Sequence, residues 1–329
     1  MHQITQAVLD NREAEILRDA IGGVVSPTLA PRNPNQDSLD VFHKHRPRLF
    51  SIAYRMLGSA ADAEDIVQEA FIRWYQSSQV EVASPEAFLV TIVSRLCLNH
   101  LKSARLKREE YFGQWLPEPI LTGPAGNPYA TSQMDQSLSM AFLVLLERLT
   151  PVERAVFLLR EVFDYGYAEI GRMLERSESN CRQILRRAKQ HLKQNRPRFD
   201  TSPQQRKELL QRFLEASSRG DMDGMLALIS EDVALYADGG GKATAVPNPI
   251  YGAQNVARFL VGARRKLLPA ELIMQVEQIN GEPGVVSYFR GRPFSVLTMD
   301  VADGRILDIY IVSNPDKLVR LPMLPSAPC

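Results

Sequence analysis

Histidine and cysteine are scarce in this chain, with five and three among 329 residues. Cys97, Cys181 and Cys329 stand far apart with no CxxC spacing. That excludes a disulfide framework and a zinc site built on paired cysteines, and predicts reduced thiols in a cytoplasmic protein. Long apolar runs are also missing. None approaches the roughly 18 residues that span a bilayer. No basic stretch followed by an apolar one opens the chain, so neither a membrane partner nor a signal peptide is expected. Net charge is almost absent, at +1 from 39 basic and 38 acidic residues. No internal repeat is visible. What is present is ordinary core material, 45% hydrophobic and 23% charged, over a length that favours two or three domains.

The small net charge hides an uneven distribution. Residues 172–198 carry nine basic against two acidic residues, the clustered footprint that DNA binding requires. Acidic residues gather elsewhere, at Asp62, Glu64, Asp65 and Glu69. Such segregation points to different partners for different segments.

Breakers divide the chain. Residues 1–39 read as a flexible tail, interrupted by Gly22, Gly23, Pro27, Pro31 and Pro34. Residues 40–110 are helical, with Leu49, Ile52, Ala53, Met56 and Leu57 at three- and four-residue spacing and a stop at Gly58-Ser59. A helix from Ala61 follows, and Ser84-Pro85-Glu86 starts another. Residues 111–134 form a Gly/Pro-rich linker, and 135–196 are helical again, with a capped start at Thr150-Pro151-Val152-Glu153. From 203 to 322 the pattern becomes α+β. It has helices at about 204–219, 221–229 and 253–266, a strand at Val233–Tyr236 and later strands, with Asp303-Gly304 as a hairpin signal. Residues 323–329 are a short tail.

A helix-turn-helix lies in the second helical unit. Tyr167–Leu174 forms a short first helix, Glu175-Arg176 a turn, and Ser177 caps a second helix that runs to Leu192. Cys181, Ile184, Leu185 and Ala188 share its inner face. Arg182, Gln183, Arg186, Arg187 and Lys189 are left outside. Residues at the start of such a helix reach base edges in the major groove, where Arg suits guanine and Gln adenine. Flanking basic residues hold phosphates. The bland alternative is a solvated basic helix face. The turn lacks the usual glycine, and a left-handed residue with a side chain costs roughly 1 kcal/mol.

Three segments, in order, carry a family resemblance: Asp62-Ala63-Glu64-Asp65-Ile66-Val67-Gln68-Glu69-Ala70-Phe71-Ile72-Arg73-Trp74, then Phe88-Leu89-Val90-Thr91-Ile92-Val93-Ser94-Arg95, then Leu149-Thr150-Pro151-Val152-Glu153-Arg154 ahead of the helix-turn-helix. The first 200 residues resemble bacterial extracytoplasmic-function RNA polymerase sigma factors. The resemblance implies that 40–110 is a region 2 domain and 135–196 a region 4 domain. It implies that Asp62, Glu64, Asp65, Gln68 and Glu69 bind core RNA polymerase. It also implies that Arg95, Asn99, Lys102, Arg105, Lys107 and Arg108 meet the −10 element of promoter DNA. Arg95 stands where the family often has asparagine. Arg176, Ser177, Arg182, Gln183, Arg186, Arg187 and Lys189 would meet the −35 element.

Three more motifs resemble the subgroup with a fused C-terminal SnoaL-like domain: Trp115-Leu116-Pro117-Glu118-Pro119, Asp238-Gly239-Gly240-Gly241-Lys242 and Asn314-Pro315-Asp316-Lys317-Leu318. The implied fold is two all-α sigma domains followed by an α+β cone with a curved antiparallel sheet. The implied role is regulation in cis, in place of a separate anti-sigma factor. Trp115, Leu116 and Pro117 would then contact Asp238, Lys242, Asn314, Asp316 and Lys317. No cofactor, metal or catalytic residue is expected, because the third unit has no histidine and Asp238, Arg290, Asp300 and Asp308 form no recognised constellation. A small ligand in the third unit stays open. So do two other readings of the whole chain: a helix-turn-helix regulator acting without core polymerase, and a DNA-binding module fused to a SnoaL-like enzyme.

Overall fold

Helix boundaries follow the local chemistry. In a computed structural model, residues 34–76, 84–109, 111–123, 138–193 and 201–324 are described, without the side chains of 34–37 and 104–109. Helix α1 (Pro34–Leu57) starts on proline, inside the segment expected to be a flexible tail, and stops at Gly58, whose φ of 69° suits glycine. Helix α2 (Ala60–Gln76) buries Ala60, Ala63, Ile66, Val67, Ala70 and Trp74 along one stripe and turns its acidic residues away from it. Helix α3 (Pro85–Glu109) completes the first unit.

The second unit begins with α4 (Met140–Leu146). Helix α5 (Pro151–Phe157) carries the expected capping box between Thr150 and Glu153 and runs on into a wider turn at Leu158–Val162. Helices α6 (Tyr167–Leu174) and α7 (Glu178–Lys193) follow. The two helical units share one apolar core. Leu49, Tyr54, Leu57 and Leu89 of the first pack in the same cluster as Leu146, Leu158, Ile170 and Ile184 of the second. Arginines add directed contacts: buried Arg154 donates to the Met56 carbonyl at 2.6 Å, and half-buried Arg48 to the Phe163 carbonyl at 3.0 Å.

The third unit has helices α8 (Pro203–Arg219), α9 (Met222–Leu228), α10 (Ala253–Lys266) and α11 (Pro315–Leu318). Its strands are β1 (Ile229–Asp238), β2 (Ile250–Tyr251), β3 (Ile273–Ile279), β4 (Glu282–Phe289), β5 (Arg292–Ala302) and β6 (Arg305–Val312). They form a single sheet in the order β2-β1-β6-β5-β4-β3. Here the expected curved antiparallel cone is corrected. The sheet is mixed, because β1 runs parallel to β6, and it is open rather than curled or closed, with β2 and β3 at opposite edges. Hairpin signals determine only consecutive strands. Asn280-Gly281, Arg290-Gly291 and Asp303-Gly304 all have positive φ at both positions, and they build β3 to β6 as hairpins. The pairing of β1 with β6 joins segments far apart in sequence and carries no such mark.

The two faces of this sheet meet different partners. Val233, Leu235, Ile306 and Ile309 pack with Phe213, Val256 and Leu260 of the unit's own helices. On the opposite face, Val286, Tyr288, Val296, Tyr310 and Val312 pack with Leu116 of the linker and Met140 of α4. The sheet thus lies between its own helices and the linker.

Candidate nucleic-acid interface

Helices α6 and α7 adopt the expected helix-turn-helix. The turn passes through Glu175, left-handed at φ 55°, and a Cβ on Gly171 would sit 2.7 Å from the Arg176 carbonyl oxygen. Glycine in α6 rather than in the turn therefore permits the close approach. Ser177 caps α7 by accepting the Asn180 amide at 3.2 Å. Cys181, Ile184, Leu185 and Ala188 are buried, while Arg176, Ser177, Arg182, Gln183, Arg186 and Arg187 are exposed. Arg182 pairs with Glu178 and lies over the Tyr167 ring, 5.0 Å from its centroid. Lys189 pairs with Glu161 at 2.7 Å. Gln183, Arg186 and Arg187 thus present a free polar edge along α7, and Arg182 is held at its start.

The residues expected at the −10 element are divided. Asn99 and Lys102 are exposed on α3. The side chains of Arg105, Lys107 and Arg108 lie outside the described residues. Arg95 faces the helix-turn-helix: its guanidinium donates to the Met173 carbonyl at 2.8 Å and pairs with Glu175 at 2.9 Å. It therefore joins the two helical units.

On α2, Asp65 and Gln68 are exposed, Glu69 pairs with Arg73 at 2.8 Å, and Asp62 lies 3.5 Å from His100. Glu64 meets Arg320 at 2.7 Å, just beyond α11. The acidic helix is thus engaged by the third unit.

The linker between the helical units threads between the first unit and the third. Asp238, fully buried at the end of β1, accepts from Tyr111 Oη at 2.5 Å, the Leu116 amide at 2.9 Å and Lys317 Nζ at 2.6 Å. Asn314 donates to Tyr111 Oη at 2.8 Å. Trp115 lies under Lys317, 4.1 Å from ammonium to ring centroid, and against Gly58, where a Cβ would meet the indole at 2.5 Å. Leu116 and Pro117 are buried. Lys242 and Asp316 pair with each other.

Residues 41–107 match the Sigma-70 region 2 family, and residues 139–192 match Sigma-70, region 4. SigJ, an ECF RNA polymerase sigma factor of Mycobacterium tuberculosis (strain ATCC 25618 / H37Rv), is 36% identical over 293 residues, covering 86% of this chain and 93% of SigJ. SigI of the same strain is 31% identical over 281 residues, covering 83% of this chain and 92% of SigI. The crystal structure of M. tuberculosis SigJ superimposes with a TM-score of 0.72 at 34% identity, covering 87% of this chain and 99% of that one. The chain belongs to the ECF RNA polymerase sigma factors. In this sigma factor the likeness to SigJ runs well past residue 192, so it takes in the third unit as well as the two sigma regions.

Several residues that organise this sigma factor carry no sequence signal of their own. Glu118 was legible only as part of its motif. Its carboxylate accepts the Ala60 and Ala61 amides at 2.8 and 3.3 Å, capping α2 from the linker, and its own amide donates to the Gly58 carbonyl at 2.8 Å. Burial raises its carboxyl above the ordinary value, although those amides pull the other way. Asn280 donates to Tyr54 Oη at 2.6 Å, and Tyr54 Oη donates to the Glu118 carbonyl at 2.6 Å. Asp300 and Asp308 face each other across β5 and β6, on the sheet face that carries Tyr310. Burial, then the Asp300 charge, push Asp308 up to about 6. Among the described residues no helix is long and apolar enough to cross a membrane.

Proposed function

We propose that this sigma factor binds core RNA polymerase through the acidic face of α2. It then directs initiation at promoters whose −10 element is met by α3 and whose −35 element is read by α7. Its third unit, a SnoaL-like fusion by its three motifs, regulates the sigma regions in cis and has no catalytic role. The observation that carries this reading is the linker held between region 2 and the third unit, pinned at Asp238 and Lys317.

The closed packing gives that contact a purpose. Elements named −10 and −35 lie about 25 base pairs apart, which is about 85 Å of duplex at 3.4 Å per step. Regions that share one core, with Arg95 bonded to the helix-turn-helix turn, cannot span that distance. Promoter recognition therefore requires the regions to part, and the linker that joins them is in the third unit's grip. Arg320 on Glu64 also competes with a basic surface for the acidic helix.

Run-off transcription with purified core polymerase and a promoter library tests the whole reading. Core-dependent initiation is expected, and Trp115→Ala should change promoter output without unfolding any unit. DNA binding with no core-dependent initiation would instead select the polymerase-independent regulator. Unchanged output from Trp115→Ala would sink the cis-regulatory part.

A further inference from the structure

Two residues of the second and third C-terminal motifs pair with each other. Lys242 and Asp316 pair at 2.5 Å, with side chains 58% and 62% exposed. Beside them a cavity of about 590 Å³ opens between α8, α10 and the helix-bearing face of the sheet. That is the size of a small-molecule site. Its walls are apolar, including Phe213, Phe259, Leu260, Met274, Phe294 and Ile311. Two exposed cations, Lys242 and Arg264, stand at its lining, and no carboxylate does. No residue of α7 or of the linker lines this space, and Leu116 of the linker packs on the opposite face of the sheet.

We propose that this cavity binds a small amphiphile with an apolar body and a single anionic head, the head pairing with Lys242. Apolar walls favour an apolar body by the area they remove from water. A charged head entering the same space must find a counter-charge or stay in water, and Lys242, exposed in the lining, supplies one while Ser217, Ser287 and Thr244 add hydroxyls to the walls. A cationic head finds no carboxylate in the lining. The head displaces Asp316 from Lys242, an exchange between exposed partners that costs little. Pro315 and Leu318 of α11 wall the cavity while Asn314 and Lys317 touch the linker side, so ligand and linker meet the same short helix. The binding stands independently of cis-regulation, since occupancy can be measured without transcription.

The test uses the full chain and the anionic apolar dye 1-anilinonaphthalene-8-sulfonate, whose fluorescence reports binding. Dodecanoate, dodecanol and dodecyltrimethylammonium, all below their micelle concentrations, then compete with it. Saturable one-to-one dye binding is expected, with dodecanoate displacing the dye at least tenfold better than dodecanol and the ammonium compound failing. Lys242→Met should weaken dodecanoate about tenfold and leave dodecanol within twofold. Ala263→Phe, which fills the cavity from α10, should abolish both. If that variant does not fold, Ser217→Phe fills it from α8. Absence of saturable dye binding, equal competition by acid and alcohol, or binding untouched by the filling variants would each overturn the proposal.

Discussion

Asp238→Ala should release the linker from the third unit while leaving the units folded. The carboxylate is fully buried and receives three donors, two from the linker and one from Lys317, whose side chain is only 12% exposed. Removing one partner of a buried ion pair costs about 3–5 kcal/mol, mostly because the other charge is stranded. Here Lys317 can escape that cost if the linker leaves and water reaches it. The penalty therefore falls on linker docking rather than on the fold, and the lower figure applies. At 1.4 kcal/mol per tenfold, about 3 kcal/mol shifts the docked–undocked balance by about two orders of magnitude. Native-state hydrogen exchange reads that balance directly. Protection at the Leu116 amide, and at Glu118 and Thr122, which donate to the Gly58 and Gln278 carbonyls, should fall about a hundredfold. The Cys181 amide, bonded to the Ser177 carbonyl within the helix-turn-helix, should not change. Asp238→Asn keeps most of the hydrogen bonds and should lie between. Unchanged protection at Leu116 and Glu118 in Asp238→Ala would refute the claim that this carboxylate holds the linker.

Three further outcomes follow from other residues. Arg186→Ala should relax base preference at one −35 position by about 1–3 kcal/mol, measured by binding to single-substitution promoter duplexes. Lys189→Ala should weaken all sequences alike and flatten the salt slope, with a smaller effect than an unpaired lysine because Glu161 already holds it. Asp308 titrates near 6 in the folded chain and near 3.8 unfolded. The raised value means the fold holds the proton more tightly, so this stabilisation is full below pH 3.8 and is lost as pH rises through 6. Two such values differ by about 3 kcal/mol. Chemical denaturation of Asp308→Asn between pH 4 and 7 should show that part of the slope removed, and parallel curves for wild type and variant would refute it.

Local chemistry was legible and long-range pairing was not. The capping box at Thr150, the stop at Gly58 and the turn at Asp303-Gly304 each rest on residues a few positions apart, where side chain and backbone decide the conformation together. The face of α7 was likewise readable from spacing alone, and Arg182, Gln183, Arg186 and Arg187 all emerge exposed. The sheet failed the same treatment because β1 and β6 pair through tertiary packing, which made it mixed and open. Arg95 shows another limit. The family resemblance implies a promoter contact for it, and nothing in its local sequence marks the carbonyls of α6 that it meets from α3. Glu118, Asn280 and Arg320 act through partners more than fifty residues away, and nothing in their immediate sequence marks that.

The linker also does something for the sheet that grips it. Ile120 to Thr122 run beside the end of β3, exchanging backbone hydrogen bonds with Asn280 and Gln278 and bridging Leu121 to Ile279. For that stretch the linker behaves as a partial extra strand on an otherwise free margin. Ile273, Met274 and Val276 stay exposed further along the same strand. A bare, apolar strand margin is a template for any other extended chain, including a second copy of this one. Opening the sigma regions would therefore uncover a surface prone to self-association, and the released form should need its partner close at hand or lose solubility with time. On the proposed opening, the docked linker would shield the sheet margin it lies against.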